Sequence, residues 1–361
     1  MKNQLIAMLL LLSILLAGCE YGIVFETAPT AEPTVPPATA VSETAPAEED
    51  VLIVHFLDVG QADCTLIEYG DYFALIDGGN REDSRLVVSY LEAQGVTELD
   101  TLVCTHAHED HVGGLPGVLA VYPTHQVLAP TKTYASNIFD HFLYYTDQQG
   151  LEVTIPQPGD TFGTGELVIT VLGPVTSYAD PNDTSIVLRL TFGDTSFLFT
   201  GDMELEAENG MLDYWGEAWE GVDVLKVGHH GSETSTGYRL LYQTNPYYAV
   251  ISVGTDNTYG HPHETILSRL HDAGCTVFRT DEMGVITALS DGKEVTLTWE
   301  KQDALPANGI PADHRLIGNT NSGLFHTALC TYLPGESNRI YFDTYDEAVD
   351  QGYTPCNRCL N

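Results

Sequence analysis

Residues 101–114 read TLVCTHAHEDHVGG, an apolar run that stops in three histidines and two acids within six positions. A buried strand that ends in ionisable groups costs folding free energy unless something binds them. A cation is the natural occupant. His106 and His108 stand two apart, so their side chains share a face of an extended chain, while Asp110 and His111 fall in the turn that follows. This spacing can feed two metal ions side by side, and imidazole with carboxylate suits zinc, manganese or iron. Gly113 and Gly114 would let the backbone pass close to the ions.

The surrounding sequence supplies further strands with polar ends. VLIVHFLDVG, CTLIEYG and YFALIDGG are each bounded by Gly or Asp, and a helix is expected from Asp83 to Gln94, with Leu86, Val87, Tyr90 and Leu91 at helical spacing and Gly95 as its stop. Then come GELVITVLGP, the hairpin SIVLRLTFGDTSFLFTGD around Gly193 and Asp194, VDVLKVGHH, AVISVG, the helix ETILSRLHDAG, and the closing strands CTVFRTD, GVITALS and EVTLTWE. Strands and helices in mixed order over residues 51–302 predict an α/β sandwich with polar motifs at strand ends. Residues 303–315, polar and proline-containing, read as a linker.

His-x-His-x-Asp-His after a strand resembles the signature of the metallo-β-lactamase superfamily, which implies an αββα sandwich holding two divalent metal ions, zinc or manganese. The resemblance extends in chain order to Asp77 in LIDGG, as a carboxylate supporting the metal shell, and to Asp202 in LFTGD, as the acid bridging both ions. FLDVGQAD (56–63), DVLKVGHHGS (223–232) and SVGTDNTYGHPH (252–263) further resemble the extracellular hydrolase domain of ComEC-type DNA-uptake proteins. The implied ligands are His106, His108, Asp110, His111, Asp202 and His261, with His230 as the rival of His261 for the last place. Asp58, Asp77, Asn182, Ser232 and Asn257 are expected around the ligands or the substrate. Ala62 stands where that family usually has glycine. The broader superfamily places a further histidine ligand between His141 and His229, where this chain offers Asn182 and Asp183. His229 and His230, before Gly231 and Ser232, are well placed as proton donors facing an anionic substrate.

The ends of the chain carry their own signals. Residues 1–18 form a lysine-led apolar run, and Leu16 to Cys19 resembles the lipobox of bacterial lipoproteins, implying a lipid on Cys19 and a membrane anchor. Residues 19–50, rich in Pro, Ala, Thr and Glu, read as a disordered acidic tether. At the other end, residues 316–361 place His326, Cys330, Cys356 and Cys359 as a closed set for one structural zinc, a sensible staple for so short an α/β module. In an exported protein a Cys356 to Cys359 disulfide is the rival reading. The stretch resembles the metal-binding domain of Ada-type DNA repair proteins, with His326 where those have the alkyl-accepting cysteine, so alkyl transfer is not expected. Cys64, Cys104 and Cys275 stand singly in apolar strands and read as buried small side chains.

Formal net charge is −37, with only 14 Lys plus Arg, which leaves no material for a broad basic footprint on DNA. A local metal-dominated site is not excluded, because at physiological salt charges act over only about 8 Å. The combined expectation is an exported, lipid-anchored, di-metal phosphodiesterase or nuclease acting on extracellular DNA by attack of a metal-held hydroxide, with Asp110, His229 and His230 in catalysis. Two rivals are a phosphodiesterase for an envelope substrate such as phosphorylcholine on teichoic acid, and a non-catalytic DNA- or wall-binding lipoprotein.

Overall fold

The computed structural model describes residues 51–216, 221–301, 316–326, 330, 333–335, 338–342, 345–356 and 360. The expected signal peptide, Cys19 and its tether, the linker, and Cys359 lie outside these residues.

The first half builds β1 (Leu52–Phe56), β2 (Thr65–Tyr69), β3 (Tyr72–Ile76), helix α1 (Ser84–Ala93), β4 (Leu99–Val103), the short α2 (Glu109–Val112), α3 (Leu115–Val121), β5 (Thr124–Leu128) and α4 (Asn137–Gln148). The second half builds β6 (Thr161–Thr164), β7 (Leu167–Gly173), β8 (Val187–Phe192), β9 (Thr195–Phe199), α5 (Leu205–Trp215), β10 (Val224–Lys226), α6 (Tyr238–Thr244), β11 (Tyr248–Ile251), α7 (Glu264–Asp272) and β12 (Thr276–Arg279). After α8 (Thr280–Met283), strands β13 (Ile286–Ser290) and β14 (Val295–Trp299) return to the first half. Two seven-stranded sheets result, ordered β14-β13-β1-β2-β3-β4-β5 and β12-β11-β10-β9-β8-β7-β6.

Period-two alternation decides which way each side chain goes. Phe197 and Phe199 of β9 face the core between the sheets together with Phe56, Ile76 and Val103. Leu198 points the other way, onto Met211 and Leu212 of α5 and Leu240 of α6. On the first sheet Leu75 and Leu102 meet Val87 and Leu91 of α1, Val118 of α3 and Phe139 of α4. Helices thus cover both outer faces, which gives the expected αββα layering. The three single cysteines Cys64, Cys104 and Cys275 are buried as read from the sequence.

Strands β3, β4 and β5 run parallel, as do β9, β10, β11 and β12. The carboxyl ends of β3 and β4 on one sheet, and of β9, β10 and β11 on the other, lead directly into the segments that carry the acids and histidines. In layered α/β folds that edge is where irregular backbone can converge without breaking the sheets.

The C-terminal residues form a separate sheet ordered β17 (Arg339–Phe342), β15 (Leu316–Asn319), β16 (Leu324–His326) and β18 (Thr354–Pro355), with α9 (Tyr345–Asp350) beside it. Its apolar residues Leu316, Phe325, Phe342 and Ala348 cluster with Tyr238 of α6, whose ring stacks on Tyr345 at 5.5 Å. The module therefore shares a core with the sandwich.

Two buried acids beneath this contact set a pH dependence. Asp272 accepts the Tyr238 hydroxyl and is pushed up to about 7 by burial. Glu208 accepts the Gly237 amide at 2.9 Å and is likewise raised to about 7 by burial. Each keeps its proton in the folded state over a range where the unfolded chain has released it. Stability from these groups is full below about pH 4 and declines as pH rises towards 7, by at most about 1.4 kcal/mol per pH unit per group. Urea titrations of the wild type from pH 4.5 to 7.5 should show this slope, and Asp272→Asn should flatten it. An unchanged slope in the variant would rule out Asp272 as its source.

Candidate metal centre

Asp77 leaves β3 with a left-handed φ of 60° and acts as a hub for the strand beside it. Its Oδ1 accepts the Thr105 amide at 2.7 Å, and its Oδ2 accepts the Thr105 hydroxyl at 2.7 Å and lies 2.8 Å from His111 Nδ1. A carboxylate only accepts, so His111 carries a proton on Nδ1, which leaves Nε2 as the ring atom turned into the site. Gly113 and Gly114 are explained by the same loop. A Cβ on Gly114 would sit 2.0 Å from the Gly78 carbonyl, and one on Gly113 would sit 2.3 Å from the Arg81 amide. The glycines allow two backbones to touch, in place of the approach to ions expected from the sequence.

Asp202 follows β9 and is buried among imidazoles. Its Oδ1 is 3.2 Å from His111 Nε2 and 3.8 Å from His230 Nε2, and its Oδ2 is 3.7 Å from His106 Nε2 and 3.6 Å from His229 Nε2. His106 Nε2 and His108 Nδ1 approach to 3.1 Å. Asp110 Oδ2 lies 3.3 Å from His230 Nε2. One atom each from Asp110, His111, Asp202 and His230 fall within 4.8 Å of one another. His230, not His261, joins this quartet.

These atoms want a cation. His111 Nε2, His230 Nε2 and Asp202 Oδ1 are buried and have no hydrogen-bond partner among the described residues, which is a large penalty for three converging polar atoms. Burial alone would raise the carboxyl of Asp202, yet His111 and His230 hold it well below the usual carboxylate range. Burial would likewise lower His230, but Asp202 and Asp63 push it up to about 10. A pair or more of acids packed around histidines is the charge balance of a cation site, and the donor set fits zinc or manganese.

His229 and His230 occupy a tight turn in which both have left-handed backbones, φ 49° and 52°. Ser232, expected near the substrate, instead closes this turn: its amide donates to the His229 carbonyl at 2.8 Å and its hydroxyl meets Thr234 at 2.9 Å. His229 Nδ1 lies 3.1 Å from Glu204 Oε1, which also accepts from Thr234 at 2.8 Å and from Asn182 Nδ2 at 3.3 Å. His229 Nε2 is thereby aimed at Asp202. Asn257 clamps the next loop, accepting the His261 amide at 3.0 Å and donating to the Gly254 carbonyl at 3.0 Å. Burial and the neighbouring imidazoles of His229, His230 and His263 lower His261 to about 4, so its ring is neutral. A cavity of about 310 Å³ opens over these groups, lined in part by Gln61, His108, Asp110, His229, Tyr259 and His261.

Asp58 does not reach the centre. It pairs with Lys301 at 3.5 Å, and Asp63 takes the place expected of it. Asp63 Oδ1 is 3.2 Å from His230 Nδ1, and its Oδ2 receives the buried Lys226 ammonium at 2.7 Å. Glu204, Asp63, Lys226 and Gln61 were all missed in the sequence. Lys226 did leave a signal, because a lysine inside the apolar strand VLKVG requires a buried partner.

In the C-terminal module His326, Cys330 and Cys356 bring one donor atom each to within 4.8 Å of the others, three of the four expected ligands.

Residues 57–255 match the family described as the metallo-beta-lactamase superfamily, and residues 304–361 match the metal binding domain of Ada. The sequence is 33% identical over 203 residues to ComE operon protein 3 of Bacillus subtilis, covering 56% of this chain and 26% of that protein. It is 33% identical over 242 residues to Recombination protein 2 of Haemophilus influenzae, covering 64% and 28% respectively. The chain thus spans little more than a quarter of the length of these two curated relatives. Among solved structures, the metallo-beta-lactamase fold protein YhfI from Bacillus subtilis aligns over 64% of this chain and 96% of its own, with 15% identity and a TM-score of 0.44.

Proposed function

The chain belongs to the metallo-beta-lactamase superfamily and is related to the ComEC-type competence proteins, and from that premise we propose that it is a di-metal phosphodiesterase of nucleic acid, exported and lipid-anchored through Cys19. The observation that carries the reading is Asp202. Its two oxygens face two donor groups, His111 with His230 on one side and His106 with His229 on the other, which is the arrangement of a carboxylate shared between two cations.

In this reading His106, His108 and Asp202 hold the first ion, and Asp110, His111, Asp202 and His230 hold the second. His230 thereby passes from the donor role expected for it to that of ligand, and His261 leaves the ligand set. Two divalent cations so held would polarise a phosphoryl oxygen and lower the pKa of a water towards neutrality. The protein's own groups do the rest. Asp110, beside His230, orients the attacking water. In its imidazolium form His229 would keep Nδ1–H on Glu204 and present Nε2–H to the oxygen that departs from phosphorus, giving it that proton. Gln61, Tyr259 and His261 line the cavity on the substrate side.

The test is an assay of the purified full-length chain, loaded with zinc or manganese, on bis-p-nitrophenyl phosphate, single-stranded and double-stranded DNA, and phosphorylcholine esters. Cleavage of the diesters with no release of choline is expected. No cleavage of any diester with either metal overturns the proposal, and preferential choline release transfers it to envelope substrates.

A further inference from the structure

We infer that Gln61 locks His261 in the tautomer that carries its proton on Nε2, making the ring a neutral hydrogen-bond donor to a phosphoryl oxygen of the substrate. This rests on the phosphodiesterase reading for its ligand but on separate geometry for its chemistry.

Gln61 has one side-chain oxygen and one side-chain nitrogen, and the structure assigns both. Its Oε1 accepts the Gly254 amide at 3.1 Å, a bond that only the oxygen can make, so the amide cannot be turned over. That leaves Nε2, a pure donor, 3.3 Å from His261 Nδ1. A donor facing Nδ1 requires a lone pair there. An imidazolium is excluded by the same contact, because its Nδ1–H would oppose the Gln61 N–H. The proton of His261 therefore sits on Nε2.

A nitrogen that carries a proton cannot ligate a metal ion, which gives a physical reason why His230 and not His261 completes the second-ion quartet. It can donate to an anion. His261 lines the cavity beside His229, with ring centroids 5.6 Å apart, and its outer side is covered by the stacked ring of Tyr259 at 5.6 Å. The ring is fixed in every degree that matters. Asn257 holds the backbone at its amide and its carbonyl, and Gln61 holds Nδ1. An uncharged donor suits a phosphodiester in this acidic protein, since it stabilises a phosphoryl oxygen without competing with the cations for the carboxylates.

Gln61→Glu is the discriminating variant, because a carboxylate of the same shape can still accept from Gly254 but must also accept from His261, moving the proton to Nδ1. In ¹⁵N-histidine-labelled, zinc-loaded protein, His261 should read as the Nε2–H tautomer in the wild type and as Nδ1–H in Gln61→Glu. Bound zinc should be unchanged in Gln61→Glu and in His261→Ala. Affinity for inorganic phosphate should fall about tenfold in both variants, and kcat/KM on a DNA oligonucleotide by about 10². Loss of zinc in His261→Ala, or an Nδ1–H wild-type ring, overturns the inference. So does phosphate affinity that neither variant changes. If the wild type hydrolyses no diester while the tautomer and phosphate results hold, the phosphodiesterase reading fails and the donor assignment stands.

Discussion

Asp202→Asn should lower phosphodiester turnover by about 10³-fold or more and reduce bound divalent metal well below the wild-type stoichiometry. Asn matches Asp in shape, and the Asp202 backbone amide would still donate to the Ser185 hydroxyl oxygen at 3.0 Å, so the fold has no reason to change. What changes is the chemistry of one atom. Asp202 offers one oxygen to His111 and His230 and the other to His106 and His229. In Asn one of the two becomes an NH₂ group, which cannot ligate and which points a donor at whichever cation it faces. The charge that offsets the ions is lost as well. His106→Ala, which removes a contact on one side only, should cost metal from the first position and leave the second largely filled. Metal content by emission spectroscopy, read beside kcat/KM, separates the two variants. An Asp202→Asn protein with wild-type metal and wild-type turnover would remove the bridging role and with it the strongest support for a two-ion centre.

Much of this centre was legible because its signals are local. His106 to His111 lie within one turn after a strand, and Asp77 and Asp202 each end an apolar run that reads as a strand without help. The apolar runs in YFALI and TSFLF, each closed by Asp or by Gly-Asp, were enough to read two buried strands. The helices were read less well. α1 and α7 have apolar residues at helical spacing, but α5, LEAENGMLDYW, is interrupted by Gly210, and α6 is only seven residues long. Both are held by packing on the second sheet, which intrinsic propensity does not reveal. Pairings across long stretches of chain were the other loss. Asp63 meets Lys226 across 163 positions, and Gln61 meets His261 across 200. FLDVGQAD offers two acids, and nothing in the octapeptide says which one turns inward. The structure does: Asp63 is buried, while Asp58 stays near Lys301. Position after a strand favoured His261 over its rival His230, and what tells them apart is that His230 Nε2 lies beside Asp110 and Asp202.

Lys226→Met should destabilise the metal-free protein by about 3–5 kcal/mol, because it strands the Asp63 carboxylate in a buried position. Lys226 is 2% exposed, and its ammonium lies 2.7 Å from Asp63 Oδ2, with the Val227 carbonyl as a second acceptor at 3.1 Å. Burial would raise the Asp63 carboxyl, but Lys226 and then His230 hold it below the usual range, so Asp63 stays charged in the native state at neutral pH. With Lys226 gone, the nearest cationic neighbour of that charge is the His230 imidazole at 3.2 Å, with His111 also acting on it. The compensation carries a cost for metal binding. Ligation needs a neutral His230 with a free Nε2, whereas an Asp63 deprived of its lysine holds the ring more firmly as imidazolium. Zinc affinity of Lys226→Met should therefore fall at neutral pH and recover as pH rises, more steeply than in the wild type. The double variant Asp63→Asn with Lys226→Met removes both charges and should regain most of the lost stability in urea denaturation, while His230 Nδ1 keeps the Ser252 carbonyl as its acceptor at 3.0 Å. A single variant as stable as the wild type, or a double variant no better than the single, would show that the pair contributes little, and equal zinc affinity in all three proteins would separate it from the metal centre.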